Sequence, residues 1–153
     1  MDRLPNSPHR DHAEFAHCPW SAEPRQLTLV RATVRDWLGP LRLTDCAQED
    51  MVLAVSEAAS NAVEHAYLTA SPDDVVEVTF WTERDWVWIE IVDHGRWKTP
   101  SVLPNYRGRG IAIMERVVDS VLIHYDSRGT RVLLGHRLTD ESGDLPAGQQ
   151  QPV

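Results

Sequence analysis

Cysteine is scarce in this sequence, and its scarcity excludes one way of holding a small domain together. The 153 residues include two cysteines, Cys18 and Cys46. They form neither a CxxC pair nor a cluster with histidines at metal-ligand intervals. A disulfide framework or a cysteine-based metal site is therefore not expected, and such isolated thiols are typical of a reducing compartment.

Long hydrophobic runs are also missing. Nowhere do about eighteen apolar residues follow one another, as a membrane-spanning helix requires. The N-terminus has no apolar stretch of the kind found in secretory signals. We therefore expect a cytoplasmic protein that does not bind membranes.

Basic residues are outnumbered, whereas apolar residues are not rare. The chain has 15 lysine and arginine residues against 23 acidic residues, which gives a formal net charge of −8. Net repulsion from a phosphate backbone makes direct nucleic acid binding an unlikely function class. Hydrophobic residues make up 42% of the chain, which is ordinary for a folded globular domain.

The two ends differ in composition from the middle. They are rich in Pro, Gly, Gln, Ser and Asp and have little to bury, which predicts flexible tails at residues 1–11 and 139–153. The intervening residues 12–138 are enough for one hydrophobic core. We therefore expect a single folded domain there.

The first half of this domain has helical periodicity. After a short strand at 13–18, apolar residues at intervals of three and four predict a helix between Pro24 and Gly39. Thr44 is a good N-cap for a longer helix that should run to about Tyr67.

The second half is dominated by two-residue alternation. It predicts hairpins from 76–81 with 86–93 and from 121–125 with 131–136, separated by a loop over 95–109 and a short helix from about Gly110. The order of elements predicts an α+β fold, in which a mostly antiparallel sheet is covered by helices in a two-layer α/β sandwich.

The long helix carries a polar stripe that a purely structural helix does not need. Glu57, Asn61 and His65 follow one another at one-turn intervals. An amide oxygen beside carboxylates suits Mg²⁺ shared with a phosphate, so Asn61 is a metal candidate. Glu57 is placed to act as a general base. The alternative is an exposed polar face whose spacing arises by chance.

Three further signals follow along the chain. Asp93 ends a strand and Gly95 follows it, where a carboxylate can accept a hydrogen bond from an amine and a missing side chain admits a flat ligand. Thr130 follows a glycine before the last strand. A glycine-rich segment opens the short helix and suits phosphate oxygens: Arg107-Gly108-Arg109-Gly110-Ile111. Each signal taken alone is also compatible with an ordinary turn.

The order and separation of these four signals resemble the GHKL ATPases. Within them the chain is similar to the anti-sigma-factor serine kinases that control sporulation and general stress responses. The run Val55–Tyr67 is similar to the N-box of that group, and the resemblance covers about residues 12–138. It implies the Bergerat-type ATP-binding fold, with ATP and Mg²⁺ as cofactors.

The resemblance implies a role for each matching position. Glu57 takes the place of the general base, Asn61 that of the Mg²⁺ ligand, and Asp93 that of the adenine-contacting aspartate. Gly95 matches the glycine beneath the base, and Thr130 the threonine that backs it.

The remaining matches concern the lid and the partner. Gly108 and Gly110 match glycines of the ATP lid, and Arg107 or Arg109 is expected to contact phosphate. His65 and Ile111 complete the nucleotide-binding set. Arg31 lies where family members place an arginine that contacts the sigma factor or its antagonist.

The implied function is that of a serine/threonine protein kinase and anti-sigma factor. Its expected partners are a STAS-domain anti-anti-sigma factor, a sigma factor and a second copy of the chain. Trp97 stands where many GHKL proteins have a further glycine. The alternative function is a nucleotide-binding or nucleotide-free module that acts by sequestration without phosphorylating its partner.

Overall fold

One antiparallel sheet organises the chain. The computed structural model describes residues 15–66, 74–95 and 106–139. Neighbouring strands are all antiparallel, and the order across the sheet is β1-β2-β3-β5-β4. The strands are β1 (Phe15–Ser21), β2 (Val75–Glu83), β3 (Trp86–Asp93), β4 (Ser120–Asp126) and β5 (Gly129–Arg137). The predicted α+β class is confirmed.

Helices pack on one face of this sheet. They are α1 (Leu27–Leu38), α2 (Asp45–Asn61) and α3 (Tyr106–Val117). A short 3₁₀ turn at Pro24–Gln26 leads into α1. The predicted cap of α2 is confirmed, because the Thr44 hydroxyl accepts a hydrogen bond from the Ala47 N–H at 3.1 Å.

The core lies between the helices and the inner face of the sheet. Alternate residues of β2 and β3 point inward, as the two-residue period predicts, and each large buried side chain contributes about 1.5–3 kcal/mol. Fully buried side chains come from both layers: Leu38, Met51 and Val55 from the helices, Val78, Phe80, Ile89 and Leu134 from the strands. The core thereby fixes α2 against the centre of the sheet.

The outer face of the sheet carries two tryptophan rings. The Trp88 ring lies over Gly135 on β5, where a Cβ would come within 2.3 Å of it. Trp86 stacks on Trp88 with ring centroids 5.1 Å apart. At the edge of the sheet, β1 contains Pro19.

The third helix begins earlier than the sequence predicts. The sequence predicts a loop over 95–109 and a helix from about Gly110, but α3 starts at Tyr106 and includes Arg107 to Arg109. Glycine costs about 1 kcal/mol in a helix and does not forbid one. Gly110 and Met114 are buried in α3, and Val118 is buried directly after it. Ile111 and Val117 are half-buried and pack against the core.

The end of α2 is a second correction. The predicted helix to about Tyr67 keeps α-helical geometry only to Asn61, after which Ala62–Ala66 form a π-helical turn, here called the π segment. A π turn is wider than an α turn. The one-turn spacing that aligned Glu57, Asn61 and His65 therefore holds only as far as Asn61.

No helix in the described part of the chain has both the length and the apolar character of a membrane span.

Candidate functional site

Two groups of side chains stand out on the helical side of the sheet. The first, called the helix half, consists of Glu57 and Asn61 on α2 with Gly110 on α3. The second, called the strand half, consists of Asp93 on β3 with Gly129 and Thr130 on β5.

The helix half depends on a close approach between two helices. A Cβ on Gly110 would lie 3.1 Å from Asn61 Nδ2 and 3.6 Å from Glu57 Oε2. Glu57 and Asn61 are half-buried, and Gly110 is buried. The absence of a side chain at residue 110 therefore lets the backbone of α3 lie directly against both polar groups.

The first turn of α3 makes the surroundings of this contact electrostatically positive. The N–H groups at the start of a helix lack intrahelical partners, and the helix dipole makes that end positive. This end of α3 contains the predicted phosphate-binding segment and leads to Gly110. A carboxylate and an amide thus border a place suited to phosphate oxygens.

The strand half is buried. Asp93 is 4% exposed and Thr130 is 7% exposed, and they are directly opposite each other in the β3–β5 register. At the end of β3, the Gly95 N–H donates to Asp93 Oδ1 at 3.1 Å. This geometry places the carboxylate, the hydroxyl and the predicted glycine together.

The Thr130 hydroxyl has no hydrogen-bond partner among the described residues, although its oxygen is buried. Leaving a buried polar group unpaired costs about 1–3 kcal/mol. Such a group indicates a place for a ligand atom or a water molecule. The strand half therefore fits a polar ligand edge such as that of adenine.

Gly129 is a site residue whose importance sequence reasoning missed. Its φ is +142°, and a Cβ there would lie 1.9 Å from the Asp93 carbonyl oxygen. Only glycine allows β5 to come this close to the end of β3. The Gly-Thr pair was noted as a weak turn signal, but contact with Asp93 is long-range and leaves no local pattern.

The two halves are connected through the π segment. It directly follows Asn61 and contacts both β3 and β5, the strands of the strand half. A widened turn of this kind is frequent at functional sites. The polar end of α2 is thereby joined to the strands that carry Asp93 and Thr130.

The remaining residues that the sequence singles out belong to neither half. Arg31 is on α1, where its guanidinium donates to the Ser56 hydroxyl, one residue before Glu57. Ile111 is half-buried and packs against the core. The side chains of three residues lie outside what the structure describes: His65, Arg107 and Arg109. Gly108 contributes only backbone to the first turn of α3, and Trp97 falls outside the described ranges.

A charged cluster supports the end of β3 from the outer face. His94, directly after Asp93, is 2.6 Å from Glu77 Oε2, and His17 is 3.3 Å from Glu77 Oε1. The hydrogen bond with His94 is the main cause that lowers the pKa of Glu77. This cluster anchors the backbone next to Asp93, and the sequence contained no spacing that indicated it.

The donor chemistry fits Mg²⁺ better than a metal held only by protein. Across residues 15–66, 74–95 and 106–139, no group of three or more His, Cys, Asp or Glu is arranged to hold a metal ion. Asn61 and Glu57 supply hard oxygen ligands, and Mg²⁺ commonly takes one or two such ligands and fills its remaining positions with phosphate and water.

Residues 20–135 match the model of the histidine kinase-like ATPase domain. The chain therefore belongs to the family of histidine kinase-like ATPase domains, and membership implies that it binds ATP.

Two known proteins are similar to this chain along most of its length. The chain is similar to the serine-protein kinase RsbW of Bacillus licheniformis, with 27% identity over 130 residues, 75% of this chain and 81% of that protein. It is also similar to the solved structure of the RsbU and RsbW domains of Rv1364c from Mycobacterium tuberculosis. That match has a TM-score of 0.67 and 29% identity and covers 81% of this chain and 32% of the other.

A more distant structure shares the fold alone. The histidine kinase domain of the blue-light activated histidine kinase EL346 from Erythrobacter litoralis is 18% identical, with a TM-score of 0.56. The match covers 74% of this chain and 60% of that one.

Proposed function

We propose that this chain is a Mg·ATP-dependent serine/threonine protein kinase and anti-sigma factor. It phosphorylates a STAS-domain anti-anti-sigma partner and sequesters a sigma factor. The observation that carries the proposal is the contact of Glu57 and Asn61 with Gly110, which brings a base and a metal ligand against the start of α3. Similarity to a serine-protein kinase supports the same reaction.

At the helix half, each side chain has a separate task. When bound, ATP would supply the phosphoryl group and leave as ADP, and Mg²⁺ held by the Asn61 amide oxygen would neutralise the phosphate charge. Glu57 orients the partner's hydroxyl and accepts its proton. The first turn of α3 offers N–H groups to the phosphate oxygens, so positioning and charge stabilisation supply most of the rate.

At the strand half, binding depends on buried polar groups. The Asp93 carboxylate accepts a hydrogen bond from the exocyclic amine of adenine. The Thr130 hydroxyl, which lacks a partner among the described residues, gains one when the base is bound. Gly95 leaves room for the face of the ring. His65, Ile111 and the residues of the lid, Arg107, Gly108 and Arg109, complete the nucleotide site.

The regulatory partners follow from the same proposal. Arg31 contacts the sigma factor or its antagonist, and the kinase domain spans residues 12–138. The active form is a homodimer, and the protein acts in the cytoplasm, where transcription takes place.

Labelled ATP tests the proposal directly. The protein is incubated with γ-³²P-ATP, Mg²⁺ and each STAS-domain protein encoded in the same genome, and the products are separated by electrophoresis. A labelled serine or threonine on one of them is expected. Stable binding of a STAS protein or a sigma factor without label would instead support sequestration alone.

A melting titration tests the nucleotide site by itself. At a hundred times its dissociation constant, Mg·ATP should add about 2.7 kcal/mol to the free energy of unfolding. Unchanged melting at millimolar Mg·ATP would contradict the nucleotide assignment.

A further inference from the structure

The row of residues that contains Asp93 and Thr130 continues onto the edge strand β4. Asp93 is directly opposite Thr130 on β5, and Thr130 is in turn directly opposite Tyr125 on β4. Directly opposed residues of an antiparallel pair lie on the same face of the sheet, with their Cβ atoms about 4.5–5.5 Å apart. Tyr125 therefore lies beside Thr130, on the face that carries the strand half.

Tyr125 is exposed, whereas the residues before it on the same face of β4 are covered. Val121 and Ile123 are partly buried and pack against the core. Tyr125 is the next residue of this alternating series and is 49% exposed. The core thus ends at Ile123, and Tyr125 lies beyond it, at the end of the sheet that holds the strand half.

The start of α3 lies at the same level as Tyr125. Two residues separate the end of α3 from β4, and the helix and the strand are in contact, so the strand runs back along the helix. From Val117 back to Tyr106 the helix spans about 16 Å. From Ser120 to Tyr125 the strand spans about the same length. Tyr125 is therefore level with the first turn of α3, next to the place suited to phosphate oxygens.

An independent observation indicates that a ligand binds beside Tyr125. The Thr130 hydroxyl is buried and has no hydrogen-bond partner among the described residues, so a polar ligand atom fits next to it. An aromatic ring offers a flat apolar surface on which nucleic acid bases commonly stack. Adenine combines a polar edge with flat faces, whereas a phosphate group has no flat face. The pair of Thr130 and Tyr125 therefore fits the nucleoside part of a nucleotide.

We propose that Tyr125 is a nucleotide-binding residue whose ring packs against the nucleoside part of ATP, an inference that rests on the nucleotide site of the proposed function. Asp93 and Thr130 pair with the polar edge of the base, and the Tyr125 ring covers the side of the nucleoside that faces β4. The ring contributes to affinity and takes no part in phosphate transfer.

Binding titrations test this role. Tyr125→Ala should raise the Kd for Mg·ATP and for Mg·ADP by the same factor of about 10, because both ligands contain the nucleoside and one aromatic stack contributes roughly that much. Tyr125→Phe retains the ring and should keep both Kd values within about twofold of wild type. In phosphate transfer, Tyr125→Ala should raise the KM for ATP and leave kcat within about twofold. An equal loss of affinity in Tyr125→Phe would assign binding to the hydroxyl and overturn the packing of the ring.

Leu122→Ala is the matched control on the same strand. Leu122 is 60% exposed and lies on the outer face of the sheet, away from Thr130. This variant should keep the Kd for Mg·ATP within about twofold of wild type. Thermal melting checks the folding of every variant. Tyr125→Thr replaces Tyr125→Ala if the latter melts early, because threonine favours strands.

A fluorine probe tests the contact in a chain that keeps the tyrosine ring. The three tyrosines are replaced by 3-fluorotyrosine, and the ¹⁹F resonance that is absent from Tyr125→Phe belongs to Tyr125. Mg·ADP should shift this resonance, and magnesium tripolyphosphate should not. Equal shifts with both ligands would place the ring at the phosphates, and no shift with Mg·ADP would place it outside the site. Either result overturns the inference.

The outcomes also separate this inference from the function on which it rests. If Mg·ATP binds wild type and Tyr125→Ala equally well, the role of Tyr125 is wrong and the proposed function stands. If Tyr125→Ala weakens the binding of Mg·ATP but wild type phosphorylates no STAS-domain protein, the role of Tyr125 is supported and the kinase function is overturned. If wild type binds no Mg·ATP, both are overturned.

Discussion

The helix half and the strand half of the site are built by different means. In the strand half, Gly129 leaves no room for a Cβ, because the nearest atom is the Asp93 carbonyl oxygen of the backbone at 1.9 Å. In the helix half, Gly110 faces the ends of flexible side chains, the nearest at 3.1 Å. Substitution of Gly129 in the strand half should therefore disturb folding and binding together, whereas substitutions in the helix half should change chemistry in an intact fold.

The largest expected effect is on the reaction and lies in the helix half. Glu57→Gln keeps the size of the side chain but cannot accept a proton, so kcat for phosphate transfer should fall about 10²–10⁴-fold. The affinity for Mg·ATP and the melting temperature should hardly change. Steady-state kinetics and a melting titration measure the two effects. Glu49→Gln, on the same helix but paired with Arg35, is the matched control, and equal rates for both variants would remove Glu57 from the mechanism.

The next effect is on stability and lies in the strand half. Gly129→Ala should lower the free energy of unfolding by about 3 kcal/mol or more, because the strained φ alone costs roughly 1–3 kcal/mol and the Cβ overlaps backbone. Urea denaturation measures the change. Gly39→Ala is the control, since its Cβ meets only the Arg35 carbonyl at 3.4 Å and the Asp36 carbonyl at 3.9 Å. Similar stabilities of the two variants would mean that β5 does not need glycine there.

A smaller effect concerns ligand affinity in the strand half. Asp93→Asn retains an oxygen for the Gly95 N–H but loses the charge that receives an amine, so Mg·ATP affinity should fall about 10–100-fold. Calorimetric titration measures it. Asp126→Asn is a control of the same geometry, because that carboxylate accepts the Arg128 N–H two residues later at 2.7 Å. Unchanged affinity in Asp93→Asn would place the base elsewhere.

The smallest expected effect has opposite signs in the free and bound protein. Thr130→Val removes a buried hydroxyl that has no hydrogen-bond partner among the described residues, so the ligand-free protein should gain about 1 kcal/mol of stability. The stabilisation by Mg·ATP should shrink, because the hydroxyl is no longer there to pair. Thr79→Val should lose stability instead, since that hydroxyl is 2.9 Å from the His17 ring nitrogen. A stability loss in ligand-free Thr130→Val would show that the hydroxyl is already paired.

The contrast also explains what could be predicted from the sequence. The Thr44 cap and the hairpin of β2 and β3 depend on neighbouring residues, and local patterns predicted both. The contact of Glu57 and Asn61 with Gly110 depends on helix packing, and only the order of the motifs indicated it. The need for glycine at residue 129 depends on how closely two strands approach, which no local pattern records.

The errors have the same origin. The glycines at residues 108 and 110 favour a loop by local pattern, although a helix packed against α2 tolerates them, so the sequence places the start of α3 too late. The π turn after Asn61 contacts β3 and β5, which lie far from it in sequence. The hydroxyl partners of Arg31 come from two different helices. In each case tertiary packing decided between conformations that the local sequence permits.

Pro19 has a consequence for the protein in concentrated solution. It lies in β1, the outermost strand on its side of the described sheet, and proline has no N–H to offer to an incoming strand. Exposed strand edges are the usual route by which folded chains add to one another and aggregate. A missing donor at this edge therefore hinders polymerisation through the sheet and helps the protein to remain dispersed.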